Sequence, residues 1–101
     1  MKFLTAAQRE IIESTKIIDT EPFYSEGLWN SDTLISTENG VIESMIDILL
    51  GKKGGIPVLT QKHNDHIFSL LEGAISRREE HLEVALKRLR IKTTKNGKGK
   101  I

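Results

Sequence analysis

Cysteine is absent from this chain of 101 residues, and proline occurs only twice. Without cysteine there are no disulfides, no thiolate metal ligands and no thiol nucleophile. Aromatic residues are scarce: Phe3, Phe23, Tyr24, Trp29 and Phe68. A core has to be assembled mostly from Ile, Leu, Val and Ala. Long apolar runs are missing too. No stretch approaches the roughly 20 residues that span a bilayer. Residues 1–10 lack the run of about 7–15 apolar residues that marks a secretory signal. The expectation is a cytoplasmic chain of one domain. No internal repeat is visible.

Acid is missing from one end. Lys87, Arg88, Arg90, Lys92, Lys95, Lys98 and Lys100 follow one another with no acidic residue among them. Residues 1–86 hold 8 basic and all 14 acidic residues, so a body of charge −6 carries an end of charge +7. Such an end can hold nucleic acid through phosphate contacts, dock on an acidic protein surface, or only keep the chain in solution. Lys and Arg on phosphates carry no sequence readout. No aromatic residue follows Phe68, so the tail by itself offers no base-stacking platform.

What is present is helical periodicity. Thr5 and Gln8 form a capping-box pattern, and Leu4, Ala7, Ile11 and Ile18 continue as an apolar stripe, which predicts a helix over 5–19. Residues 20–33 break that pattern. Pro22 disfavours helix at Glu21, and Gly27, Asn30, Ser31 and Asp32 add turn chemistry. Phe23, Tyr24 and Trp29 fall in this expected loop, as a recognition patch or as the lid of an aromatic-poor core, with at least one of them expected to serve the core. Asn39-Gly40 is a hairpin signal, yet Val41, Ile42, Met45, Ile46, Leu49 and Leu50 suit a helix over 40–50, with 34–36 extended. Gly51 would cap that helix. Residues 52–59 read as a linker in which Ile56, Val58 and Leu59 form a short strand or plug the core. Thr60, Asn64 or Asp65 would start the last helix, which meets no proline as far as Lys92. Its middle, residues 76–81, has no apolar side chain and reads as a solvated stretch or a break. Glu83 and Lys87 are spaced as a favourable pair. Unbroken, this helix would outrun a globule whose radius of gyration should be about 13 Å. Its far apolar half would then need a partner, and a second copy is the commonest one. The fold class expected is all-α, with three main helices and a long last one, and a short β-hairpin near 33–46 as the competing reading. The folded domain is expected to span 1–92, with a disordered basic tail over 93–101.

Several constellations bear on chemistry. His63, Asp65 and His66 sit close in sequence, but a structural zinc site wants four ligands and His81 lies about four turns away. The polar start of a helix explains them better. Gly51-Lys52-Lys53-Gly54-Gly55 lacks the spacing of a phosphate loop, and no nucleophile-elbow pattern occurs. Glu79-Glu80-His81-Leu82-Glu83 resembles the EExxE string of all-α nucleotide pyrophosphohydrolases. The resemblance implies acidic clusters on facing helices that hold magnesium against a pyrophosphate, with Glu43 and Asp47 as the facing pair. The chain departs from that family's pattern, because no acid follows Glu83 and the Glu43–Asp47 order and spacing differ.

The reading that follows is a non-catalytic helical protein with no metal and no cofactor. It would act as an adaptor, inhibitor or regulator through protein contacts, as a homodimer. Its contact residues would be Phe23, Tyr24, Trp29, Leu82, Leu86 and Leu89. One rival is nucleic-acid binding through the basic residues from Lys87 onward. The other is metal-dependent nucleotide hydrolysis by Glu43, Asp47, Glu79, Glu80 and Glu83.

Overall fold

The computed structural model describes residues 3–52 and 60–99, with 93–99 described by backbone alone. Within them the chain forms four helices and no strand: α1 (Ala6–Ser14), α2 (Glu21–Ser25), α3 (Trp29–Leu49) and α4 (Gln61–Gly99). The expected linker strand at 56–59 lies outside the described residues.

Local chemistry sets the ends of each helix. Thr5 accepts from the Gln8 amide while Gln8 accepts from the Thr5 amide, completing the capping box of α1. The helix stops at Ser14, five residues before the expected end. The hydroxyls of Ser14 and Thr15 both donate to the Ile11 carbonyl, and the backbone turns extended at Thr15. The segment from there to Ile18 is then held by side chains of α3 and α4, as described below.

Residues 21–25, expected as loop, make the short helix α2. Pro22 lies in its first turn, where the missing N–H costs nothing and the fixed φ suits a helix. Gly27 at φ +77° ends α2. The Leu28 amide donates to Phe23 O and the Gly27 amide to Tyr24 O, the pairing of a Schellman cap. The same motif closes α3. Gly51 has φ +71°, the Lys52 amide donates to Asp47 O, and the Gly51 amide donates to Ile48 O.

α3 runs without a break through Asn39-Gly40, so neither the hairpin near 33–46 nor the extended 34–36 is present. A type I′ turn needs positive φ at both central residues, and neither residue has it. Ile35, Asn39, Ile42 and Leu49 are buried along one stripe, and a register slip into a hairpin would break it up.

α4 starts at Thr60, whose hydroxyl accepts the His63 amide. It continues without interruption through 76–81 and runs seven residues past Lys92, the boundary expected from the sequence. With no proline in the way, each further residue adds a backbone bond to a nucleus already formed. Its 39 residues span about 58 Å at about 1.5 Å per residue. The molecule measures 61 × 25 × 17 Å with a radius of gyration of 17.3 Å, well above the 13 Å of a globule of this size.

α3 and α4 pack antiparallel, and two apolar clusters hold them. Ile12 of α1 joins Ile42, Leu49, Ile67, Phe68, Leu71 and Ala74 in one. Phe23 of α2 joins Ile35 and Ala85 in the other, with Ile18, Leu28, Leu82 and Leu89 packed around them. A polar layer lies between the two. Arg77 grips Glu38 with two bonds, at 2.8 and 3.2 Å. Arg78, only 7% exposed, donates 2.8 Å bonds to Asn39 Oδ1 and to the Lys16 carbonyl. Asn39 also takes the Ile18 amide at 3.2 Å and donates to the Ile18 carbonyl at 2.9 Å. These bonds carry the chain from α1 across to α2. The polar stretch 76–81 is thus neither a break nor merely solvated: it supplies the arginines of this layer.

Candidate interaction surfaces

The residues named from the sequence separate once they are placed. Phe23 is 3% exposed and belongs to the second apolar cluster, so it is core and not contact surface. Leu89 is half-buried against the same cluster. Tyr24 and Trp29 are 56% and 64% exposed. Leu86 is 46% exposed, while Leu82 packs partly inward on the Phe23 cluster and partly into a surface groove.

That groove has a volume of about 280 Å³ and is lined by Glu79, Leu82, Glu83 and Leu86, all from α4. A neighbouring one of about 170 Å³ is lined by Ile11, Glu72, Ile75, Ser76 and Glu79. Glu79 is common to both. The α4 residues of the two follow one another at steps of three and four, so they are one continuous stripe on the helix. α1 lies beside its first half through Ile11. The second half, from Glu79 to Leu86, has no element of the described chain over it.

The basic residues lie at the far end of the same helix. Lys87, Arg88 and Arg90 are exposed. Lys92 is half-buried, and its ammonium donates to the Glu26 carbonyl beside Gly27. The side chains of Lys95 and Lys98 and all of Lys100 lie outside the described residues. Glu83 and Lys87 form no ion pair; Arg77–Glu38 is the single one among the described residues. The contact of Lys92 with Glu26, and of Phe23 with Ala85, puts α2 and the start of α3 at this end. Tyr24 and Trp29 therefore share it with the basic cluster. The sequence, which has no aromatic after Phe68, gave no sign of that.

The acids suggested as a magnesium site are not gathered. Glu43 and Asp47 lie on the part of α3 that faces the Leu71 cluster, whereas Glu79, Glu80 and Glu83 lie around and beyond the polar layer. Among the described residues no three of His, Asp and Glu come together as a metal would require. Asp65 is engaged elsewhere: Gln61, Asn64 and Gln8 donate to its Oδ1 at 2.9, 3.4 and 3.5 Å. Those bonds, led by Gln61, hold its carboxyl below the ordinary 3.8. Burial lowers the Arg78 guanidinium from its usual range, and the bond to Glu38 raises that of Arg77. Both shifts belong to the layer that joins the helices.

Comparison of the chain with protein-family models, with curated proteins and with solved structures gave no match. No helix among the described residues is long and apolar enough to cross a membrane. Two surfaces stand out: the uncovered α4 groove, and the end of the molecule that carries both exposed aromatics and cations.

Proposed function

We propose that this chain is a small cytoplasmic adaptor, inhibitor or regulator that works through protein–protein contact, and that it does so as a homodimer joined along α4. The observation that carries the reading is the groove from Glu79 to Leu86. It offers apolar surface next to charge, which is the makeup of an interface core with a polar rim. The length of α4 supports it, because a helix that outruns its own core gains by burying its far half against another molecule. Leu86→Glu is the test. Leu86 is about half exposed, so the charge leaves the fold intact by circular dichroism while at least tenfold weakening self-association in sedimentation equilibrium. Unchanged association in a folded variant would remove the α4 groove from the account.

A second reading is favoured by one observation, the shared end of Tyr24, Trp29, Lys87, Arg88 and Arg90. Aromatic faces beside cations are how single-stranded nucleic acid is held without sequence preference. This reading predicts that a labelled single-stranded RNA binds at low salt and quenches Trp29 fluorescence. Each cation removed should lower the slope of log affinity against log salt by about 1. Binding that ignores Trp29→Ala and salt alike would count against it.

A further inference from the structure

Charges along the open half of the α4 stripe are sorted by sign. Glu79 and Glu83 come before Leu86, and Lys87 and Arg90 come after it. Glu83 and Arg90 are seven residues apart, two turns of helix, so they stand on one face on either side of Leu86. Both are exposed and neither is ion-paired among the described residues. A surface that is acidic at one end and basic at the other complements itself only when turned end for end.

We infer that the occupant of the groove is α4 of a second copy running antiparallel, in the register that sets Glu83 of each chain across from Arg90 of the other. The inference rests on the homodimer reading above and adds the direction and register. Twofold symmetry makes the interface isologous, so the pair occurs twice. The symmetry axis passes beside Leu86 and Lys87, which brings the two Leu86 side chains to the centre. A parallel pair would instead set Glu83 against Glu83 and Arg90 against Arg90, and like charges across an interface oppose association. The position of α1 limits the overlap. Ile11 borders the stripe at Ile75 and Ser76, so a partner helix lies clear of α1 from about Glu79 onward. The proposed register places residue 79 of one chain near residue 94 of the other, and the last turn of each α4, which runs on to Gly99, then passes alongside the other chain's α1.

The test uses the whole chain, which contains no cysteine, so an introduced thiol is unique. Glu83→Cys and Arg90→Cys proteins are mixed and oxidised at a concentration where the parent is dimeric. The expected product is a mixed disulfide between the two variants, with little of either self-crosslinked dimer. Charge reversal supplies a second readout. Glu83→Arg and Arg90→Glu each weaken the dimer about tenfold, and the double variant returns to within about threefold of the parent. Self-crosslinking at Glu83→Cys, or a double variant as weak as the singles, in a protein that still dimerises, overturns the antiparallel register and leaves the homodimer standing. A parent chain that stays monomeric at several hundred micromolar overturns both.

Discussion

Asn39 makes three hydrogen bonds, to both backbone groups of Ile18 and to Arg78. All three connect different parts of the chain. Replacing it with alanine leaves the Ile18 amide and carbonyl and one guanidinium donor short of a partner, at about 2–3 kcal/mol in total. For a domain of this size that is about 10–20 °C in melting temperature. Hydrogen exchange should locate the damage, with the Ile18 amide losing protection first. A melting temperature within 2 °C or so of the parent would mean that water replaces Asn39 without penalty. Asp65 supplies a pH-dependent link between α1 and α4. Its pKa is lower in the folded chain than in the unfolded one, so its contribution is present above the unfolded value and disappears as pH falls through the folded one. Asp65→Asn should therefore lose less stability than the parent between pH 7 and pH 3 in urea titrations. Equal losses would show that the Gln61 and Asn64 bonds do not depend on the charge. None of these residues was legible as a contact in the sequence. A polar residue in the middle of a helix is usually solvated, and what makes Asn39 and Arg78 different is the residue opposite. One signal was there: Leu71, Ala74, Arg78, Leu82 and Ala85 keep three- to four-residue steps, so Arg78 occupies a position of the buried stripe.

Element boundaries follow capping chemistry, and there the sequence was readable. The box at Thr5 and Gln8, the Gly51 cap and a start for α4 at Thr60 are local motifs whose bonds form within five residues. The misreadings came where tertiary contact overrides local preference. Asn39-Gly40 has the composition of a turn, but Ile35 and Ile42 bury their side chains only if the helix passes through it. Pro22 breaks a helix in its interior and starts one in its first turn, and the two outcomes look alike until the next helix fixes the chain's path. Glycines separate these cases by experiment. A Cβ at Gly40 would meet nothing within 4 Å, so Gly40→Ala should raise unfolding free energy by about 0.5–1 kcal/mol. Gly51 also has open space around it but sits at φ +71°, so Gly51→Ala should lower stability by about 1 kcal/mol. Urea titration of both variants checks the pair. The same sign for both would contradict the assigned helix path.

At the scale of the whole molecule, two small cores and a polar layer hold α3 against α4, with Ile12 of α1 added to one core and Phe23 of α2 to the other. α4 is longer than this arrangement requires. The sequence showed the excess length and the apolar far half, and it named Leu82 and Leu86. It could not show which of the three loop aromatics would turn inward, that Leu89 would lie half-buried, or that Trp29 would share an end of the molecule with the cations, because each depends on how α2 folds back over α4. On the dimer proposal, α4 is long because a second copy uses it. Sedimentation equilibrium of the full chain, from low micromolar to several hundred micromolar, tests this most directly. The expected mass rises from one chain to two, with Leu86→Glu held at one. A single-chain mass across the whole range would contradict it.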